Sequence, residues 1–108
     1  MKLVQAVIRP EKASDLLEAF VNNGFPAATR MSVLGRGKQR GLKVGEVYYD
    51  EIPKETIMVV VENEEANELI KIIKNVCRTG KTGAYGDGKI FILDVERAIT
   101  ISSGSESL

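Results

Sequence analysis

The stretch TIMVVVENEEANELIKIIKNVC, residues 56–77, indicates how the chain folds. It opens with an apolar run rich in β-branched side chains, which is typical of a buried strand. Asn63 then suits the N-cap of a helix, and the glutamates after it suit the positive end of the helix dipole. Apolar side chains recur at helical spacing in the rest of the stretch, at Ala66, Leu69, Ile70, Ile73, Val76 and Cys77. A buried strand followed at once by an amphipathic helix predicts a domain that mixes both element types.

The N-terminal part of the chain repeats this order of elements. Residues 2–9, KLVQAVIR, predict a strand. A helical stripe follows, and it ends near Gly24, which can adopt the left-handed cap conformation. Further strands are predicted over 28–34 and 89–95. The order βαβ, long loop, βαβ predicts a single α+β domain over 1–108, a ferredoxin-like sandwich with an antiparallel sheet and both helices on one face.

The predicted strands carry more apolar surface than two helices can cover. The residues that contribute to this excess include Val4, Ile8, Met31, Met58 and Val60. A sheet face left uncovered in this way predicts association with other subunits.

Composition excludes several classes of function. The chain has 15 Lys and Arg against 15 Asp and Glu, which disfavours a nucleic-acid binder that relies on a basic excess. Without histidine and with one cysteine, a disulfide framework, most transition-metal sites and histidine-dependent catalysis are excluded. Cys77 lies on the apolar helix stripe and is interpreted as a packed core thiol. No apolar run approaches the roughly 20 residues of a membrane span, and residues 1–10 do not suit a secretory signal. These features predict a cytoplasmic protein that is not an enzyme and does not insert into membranes.

Two other functions are compatible with a ferredoxin-like fold. RNA-recognition domains stack bases on aromatic residues of their two central strands, but the predicted central strands 2–9 and 56–62 have no aromatic side chain. Small phosphatases of this fold need an arginine-bearing phosphate loop with glycines after the first strand, and residues 9–12 lack the glycines. Both functions are therefore distant alternatives.

Residues 35–54 lack apolar periodicity over an unusual length for so small a domain. The segment contains four glycines and five basic residues, and Gly35–Gly41 mixes glycines with cations. Exposed backbone N–H groups and positive charge favour an anion such as phosphate. The alternative is a solvated loop without a ligand, which this segment alone favours. Tyr48 and Tyr49 are interpreted as a stacking platform, a modification target or an anchor for the foot of the loop.

A second glycine-rich segment, residues 79–89, precedes the last predicted strand. Gly83–Lys89 matches part of a P-loop pattern, but Ile90 replaces the magnesium-coordinating Ser or Thr. The segment also leads into a strand where a P-loop opens a helix, so a P-loop is excluded. The Gly86–Lys89 turn is equally compatible with a phosphate site and with an ordinary tight turn.

Taken together, these segments resemble the PII family of nitrogen-regulatory signal-transduction proteins. The resemblance covers nearly the whole chain, through Ala6–Pro10, Gly35–Gly41, Pro53-Lys54, Thr79–Lys81 and, most specifically, GDGKIF at 86–91. Residues 35–55 further resemble the nitrogenase-associated PII-type regulators of archaea and some anaerobic bacteria, and among these the first of their two paired kinds. The resemblance implies a trimer of ferredoxin-like subunits that binds effectors in clefts between neighbours.

The resemblance also implies which residues bind the effectors. ATP or ADP would be held by Gly86, Asp87, Gly88 and Lys89 on one side of the cleft, and by Thr29, Gly35, Gly37, Lys38 and Gln39 on the other. Gln39 would also help to position Mg²⁺ with the nucleotide phosphates and contribute to the 2-oxoglutarate site, where Lys54 would pair with a carboxylate. A metal and a lysine suit this combination because a dicarboxylate beside a triphosphate concentrates negative charge.

Residues 36–53 are implied to be a mobile loop that changes conformation with the bound effector and contacts a target protein through Arg40, Lys43, Tyr48 and Tyr49. Two further segments are a nucleotide loop at 80–89 and a loose C-terminal tail at 102–108. The implied function is a nitrogen-status regulator that controls a nitrogen-assimilation enzyme, with nitrogenase as the first candidate. An ammonium transporter and glutamine synthetase are the alternative targets.

Four departures from the family pattern bear on these expectations. The long loop is shorter than in the widespread bacterial members, and Val47 stands where their uridylylated tyrosine lies. Residues 82–85 carry an insertion in the glycine-rich turn, and Met58 replaces an acidic residue. Thr100 and Ser102 stand where many members have arginines that hold nucleotide phosphates, and each charged contact is typically worth about 1.5–3 kcal/mol. Nucleotide binding is therefore expected to be weak, or to be completed by a paralogous subunit in a mixed oligomer, and we favour the second.

Overall fold

The computed structural model of the chain describes residues 1–36, 42–44, 47–49 and 51–108. These residues form two helices and six strands: β1 (Lys2–Ile8), α1 (Ala13–Asn22), β2 (Thr29–Gly35), β3 (Leu42–Val44), β4 (Val47–Tyr49), β5 (Ile52–Val61), α2 (Ala66–Cys77) and β6 (Gly88–Asp94). Four strands form an antiparallel sheet in the order β2-β5-β1-β6, and β3 pairs with β4 separately. The predicted ferredoxin-like α+β fold is confirmed. The central strands are β1 and β5, as expected, and neither contains an aromatic residue.

A 3-10 turn precedes α2 and changes how the helix starts. The turn spans Asn63–Glu65, and Glu65 occupies the cap position without a capping hydrogen bond from its side chain. The N–H group of Ala66 bonds instead to the Asn63 carbonyl oxygen. The predicted N-cap at Asn63 is therefore wrong, because the tighter turn supplies backbone acceptors to the first N–H groups.

The apolar core lies between the helices and one face of the sheet. Its main members are Val4, Ala6 and Ile8 of β1, Ile57, Val59 and Val61 of β5, Leu16 and Phe20 of α1, and Leu69 and Ile73 of α2. Val4 and Ile8 are each 1% exposed. The expectation that these two residues contribute to an uncovered face is wrong, since both point towards the helices.

The opposite face of the sheet is not covered by either helix. On this face, Met31, Val60, Phe91 and Leu93 are 38–48% exposed, and Met58 is half-buried among them. Their shared orientation follows from the register, which pairs residues of the same face across neighbouring strands. The excess of apolar strand surface predicted from the sequence is therefore present, and Met31, Met58 and Val60 lie on it as expected.

The boundaries of β5 differ from those that the sequence predicts. The strand begins at Ile52, before the predicted start at residue 56, because Ile52 and Lys54 pair with Gly35 and Val33 of β2. The short strands β3 and β4 also lie in the segment that shows no periodicity. Strands of this length are too short for an alternating pattern to reveal them.

The C-terminal residues contain a hydrogen-bonded turn, although all of them are exposed after residue 98. The Thr100 N–H donates to the Ser105 carbonyl oxygen at 2.8 Å, and the Gly104 N–H donates to the Thr100 carbonyl oxygen at 2.7 Å. Arg97 Nε and Glu106 Oε1 are 2.6 Å apart. Part of the tail predicted to be loose thus has local structure.

Over the described ranges, neither helix is long and apolar enough to cross a membrane.

Cys77 is a buried free thiol, which confirms its interpretation as a core residue. Burial raises the pKa of the thiol to about 11. Because the thiolate is the reactive form, we expect a thiol reagent at pH 8 to label the folded chain about 100-fold more slowly than the urea-unfolded chain. The rate of labelling of the folded chain should rise as the pH approaches the raised pKa. Equal rates for the folded and unfolded chains would contradict this assignment.

Candidate functional site

Charged side chains meet at the end of the sheet where β1 finishes and β6 begins. Ile8, the last residue of β1, is opposite Gly88, the first residue of β6. Arg9 therefore follows β1 at the end of the sheet where Asp87 precedes β6, and β5 contributes Lys54 beside them. Because neighbouring strands run in opposite directions, residues far apart in the sequence come together here.

Asp87 fixes the shape of the glycine-rich turn. Its carboxylate accepts hydrogen bonds from the Thr79 N–H (3.0 Å), the Thr79 hydroxyl (2.6 Å), the Ala84 N–H (2.8 Å) and Arg9 Nε (3.2 Å). The Thr79 hydroxyl is the largest cause that holds the pKa of Asp87 well below its ordinary value, and the other donors act in the same direction. A carboxylate offers about four lone-pair sites. The hydrogen-bonding capacity of Asp87 is therefore taken up by the turn and by Arg9.

Two glycines let the turn lie directly against the end of β1. Gly88 has φ of +118°, and a Cβ atom there would lie 1.9 Å from the Val7 carbonyl oxygen. Gly86 has φ of +92°, and a Cβ atom there would lie 3.2 Å from Arg9 Nη2. A side chain at Gly88 would push the turn away from the backbone of β1, whereas one at Gly86 would displace the end of the Arg9 side chain. At both positions the left-handed backbone favours glycine.

Two cations bind adjacent carbonyl groups of the turn. Arg9 Nη2 donates to the Tyr85 carbonyl oxygen at 2.7 Å, and Lys54 Nζ donates to the Gly86 carbonyl oxygen. Burial lowers the pKa of Lys54, and the nearby charge of Arg9 lowers it further. An anion bound beside these two side chains would oppose that shift, because it would stabilise both positive charges.

This arrangement suits an anionic ligand with several oxygen atoms. Gly86 and Gly88 have positive φ, a conformation that favours anion binding by successive backbone N–H groups, and Lys89 adds an exposed ammonium group directly after them. Phosphate and carboxylate oxygens are the usual partners of such groups. In the part of the chain that the structure describes, no cluster of His, Cys, Asp or Glu side chains could hold a metal ion.

The structure brings together part of the site predicted from the sequence. Gly35 lies against Lys54, since a Cβ atom on this glycine would be 3.2 Å from Lys54 Cγ. Together with the turn residues, the group comprises Gly35, Lys54, Gly86, Asp87, Gly88 and Lys89. Thr29 is separate, because it occupies the other end of β2, roughly 20 Å from Gly35 at the usual rise of a strand.

Several predicted site residues lie outside the residues that the structure describes. Gly37, Lys38, Gln39 and Arg40 lie outside the described residues, so their roles towards nucleotide, Mg²⁺, 2-oxoglutarate and a target stay predictions. The side chains of Lys43, Tyr48 and Tyr49 lie outside them as well.

Sequence reasoning gave no role to Arg9 and Thr79, although both bind Asp87. Arg9 and Asp87 are 78 positions apart, and only the pairing of β1 with β6 makes them neighbours. A usable signal exists in the ends of the predicted strands. An arginine directly after the first strand and an acidic residue directly before the last one must meet if those strands pair in antiparallel register.

The fold and the site define a class of protein, a small ferredoxin-like domain that carries a cation-bearing glycine turn at one end of its sheet. The family model described as nitrogen regulatory protein P-II matches residues 1–105, and the chain belongs to this family of nitrogen regulators.

Individual relatives carry related names. The nitrogen fixation nifHD region GlnB-like protein 1 of Methanothermococcus thermolithotrophicus is 43% identical over 108 residues, which cover 100% of both chains. The protein of the same name from Methanothermobacter marburgensis is 45% identical, again over 100% of both chains. The nitrogen regulatory protein P-II of Pasteurella multocida is 37% identical over 99% of this chain and 96% of its own. The resemblance to PII proteins, and to those associated with nitrogen fixation, is confirmed.

Proposed function

We propose that the chain is a cytoplasmic, non-enzymatic sensor of adenine nucleotide and 2-oxoglutarate that controls nitrogenase by direct contact. Membership of the P-II family supports a regulatory role in nitrogen metabolism. The names of the archaeal relatives place those proteins in nitrogen fixation regions, which supports nitrogenase over other nitrogen-assimilation enzymes as the target.

The main support for this proposal is that Lys54 and Arg9 both bind the glycine-rich turn. Lys54 Nζ is already at the turn, where it donates to the Gly86 carbonyl oxygen. A carboxylate of 2-oxoglutarate would replace that carbonyl as its partner, and the exchange is favourable because a charged acceptor binds an ammonium group more strongly. The backbone of the turn and Lys89 would hold nucleotide phosphates beside it. Magnesium, when bound with the nucleotide, neutralises part of the combined negative charge.

A cleft between subunits would complete this site. Thr29 and the turn lie at separate places in one chain, so they can hold the same nucleotide only if neighbouring subunits supply them. The uncovered apolar face with Met31, Val60, Phe91 and Leu93 supports such association, either as a homotrimer or with a paralogous subunit. Thr100 and Ser102 are exposed and uncharged, which favours the mixed oligomer if cations are needed there.

Isothermal titration of the Lys54→Ala variant tests the proposed sensor. In the presence of Mg-ATP, we expect its affinity for 2-oxoglutarate to fall about 10- to 150-fold, which corresponds to one charged contact of 1.5–3 kcal/mol. ATP binding without 2-oxoglutarate should change little. The control is Lys71→Ala, because Lys71 is an exposed lysine of α2.

Two results would contradict the proposal. Equal affinity of both lysine variants for 2-oxoglutarate would remove Lys54 from the effector site. Failure of the chain to bind nucleotide, alone and after mixing with a paralogous PII subunit, would remove the sensor function itself.

A further inference from the structure

Glu55 is a buried carboxylate next to Lys54 in the sequence. Glu55 is 7% exposed, and among the described residues only Thr56 is another buried polar residue. One carboxylate oxygen accepts a hydrogen bond from the Ser32 hydroxyl at 3.0 Å, and the other accepts one from Arg30 Nε at 3.3 Å. We call these three residues, Arg30, Ser32 and Glu55, the β2–β5 polar cluster.

The β2–β5 polar cluster connects β2 to β5, and β2 has few other contacts that would fix its register. No residue of β2 is buried, and β2 lies at the edge of the sheet with β5 as its one neighbour there. Register is usually specified by an apolar face that must point into the core. Because β2 buries no residue in the core of its own subunit, apolar packing within the subunit specifies its register only weakly.

β2 forms the immediate surroundings of Lys54, because the pairing of β5 with β1 ends at Glu55 and Gly35 of β2 lies against the Lys54 side chain. Lys54 and Glu55 are consecutive, so they lie on opposite faces of the sheet. In the observed register, Glu55 is opposite Ser32 on the helix-covered face, and Lys54 is opposite Val33 on the other. A slip of one residue would turn each β2 side chain to the opposite face of the sheet relative to β5. It would also move the point at which the chain leaves β2.

We propose that the β2–β5 polar cluster locks the register of these strands, and that Glu55 is thereby a positioning residue for Lys54. The functional part of this inference rests on the proposed effector site. Ser32 and Arg30 bind both oxygens of one carboxylate, so the cluster is satisfied in one register only. The Arg30–Glu55 ion pair is partly buried, since the Arg30 side chain is 41% exposed, and such a pair usually adds little stability. Specificity of register is therefore its expected contribution.

Cysteine cross-linking in a Cys77→Ala background tests the lock without any ligand. The pair Met31→Cys and Thr56→Cys reports the observed register, because these residues are opposite each other. The pair Leu34→Cys and Ile52→Cys reports a slip of one residue, since Leu34 is opposite Pro53 in the observed register. Each pair is compared in the native cluster and in a cluster replaced by Arg30→Leu, Ser32→Ala and Glu55→Val.

We expect replacement of the cluster to lower the yield of the Met31–Thr56 cross-link by about fivefold or more and to raise that of the Leu34–Ile52 cross-link. The thermal midpoint should stay the same or rise, which separates loss of register from loss of folding. The affinity for 2-oxoglutarate should fall about tenfold or more, because the β2 residues that pack against Lys54 and orient its side chain would shift. Glu55→Gln, which keeps the acceptor for Ser32, should show a smaller change in both measurements.

Each outcome decides one part of the inference. Unchanged cross-linking overturns the lock, whatever happens to ligand binding. Altered cross-linking with unchanged affinity for 2-oxoglutarate overturns the positioning role of Glu55. If the native chain binds no 2-oxoglutarate, the proposed function fails and the cross-links alone decide the lock. If the triple variant does not fold, Glu55→Gln is used, and unchanged cross-linking in that variant counts against the lock.

Discussion

The Gly88→Ala variant should be destabilised by about 4 kcal/mol or more, enough to unfold much of a marginally stable domain. The added Cβ atom would lie 1.9 Å from the Val7 carbonyl oxygen, 2.9 Å from its carbon and 3.1 Å from Ile8 Cα. All three atoms belong to the backbone of β1, a central strand that is paired on both sides. The strand cannot move without breaking those pairings. The φ of +118° adds further strain for any residue with a side chain.

Urea unfolding followed by circular dichroism measures this effect. Gly80→Ala is the matched control, because Gly80 also has positive φ, +63°, but nothing lies within 4 Å of its added Cβ atom. The control should cost roughly 1–2 kcal/mol, the usual cost of left-handed backbone for a residue with a Cβ atom. A similar loss for both variants would show that conformation alone, and not contact with β1, makes Gly88 necessary.

The elements that follow a regular pattern could be predicted from the sequence. The apolar stripes predict both helices, and α1 ends where the Asn-Asn-Gly sequence predicts. The two central strands were found because they are nearly continuous apolar runs. Such runs do not reveal which face of the strand the helices cover, because apolar residues lie on both faces of β1: Leu3 and Val7 on one, Val4 and Ile8 on the other. This ambiguity explains the wrong assignment of Val4 and Ile8.

The glycine turn could be located from the sequence, but its internal contacts could not. Local composition pointed to Gly86–Lys89 and, through the family resemblance, to Lys54, and the structure brings these residues together. The role of Arg9 depends on the β1–β6 register, and that of Glu55 depends on the β2–β5 register. Register results from packing of the whole sheet, so no local pattern contains it.

The Asp87→Ala variant should lose roughly 3 kcal/mol of stability, because one substitution removes several hydrogen bonds to a charged acceptor. Each such bond typically contributes about 1.5–3 kcal/mol net, and bonds that share one acceptor are not additive. The Thr79 and Ala84 N–H groups and Arg9 would lose their common partner. Thr79→Val should show a smaller loss of the same kind. The double variant, Asp87→Ala with Thr79→Val, should be less stable than Asp87→Ala by at most a few tenths of a kcal/mol, because both changes act on one network.

The pH dependence of this difference identifies the carboxylate as its source. The folded-state pKa of Asp87 is depressed, chiefly by the Thr79 hydroxyl, so its contribution is fully present above the unfolded-state pKa of about 4. The contribution is lost as the pH falls from there towards the depressed value. The stability gap between the native chain and Asp87→Asn, measured by urea unfolding, should therefore narrow below about pH 4. Asp94→Asn is the control, since that carboxylate is 85% exposed and pairs with Lys2 at the surface, and it should change stability little at any pH. A gap that is constant across this range would mean that ionisation of Asp87 is not the source of the difference, and the charge-based account of the turn would be wrong.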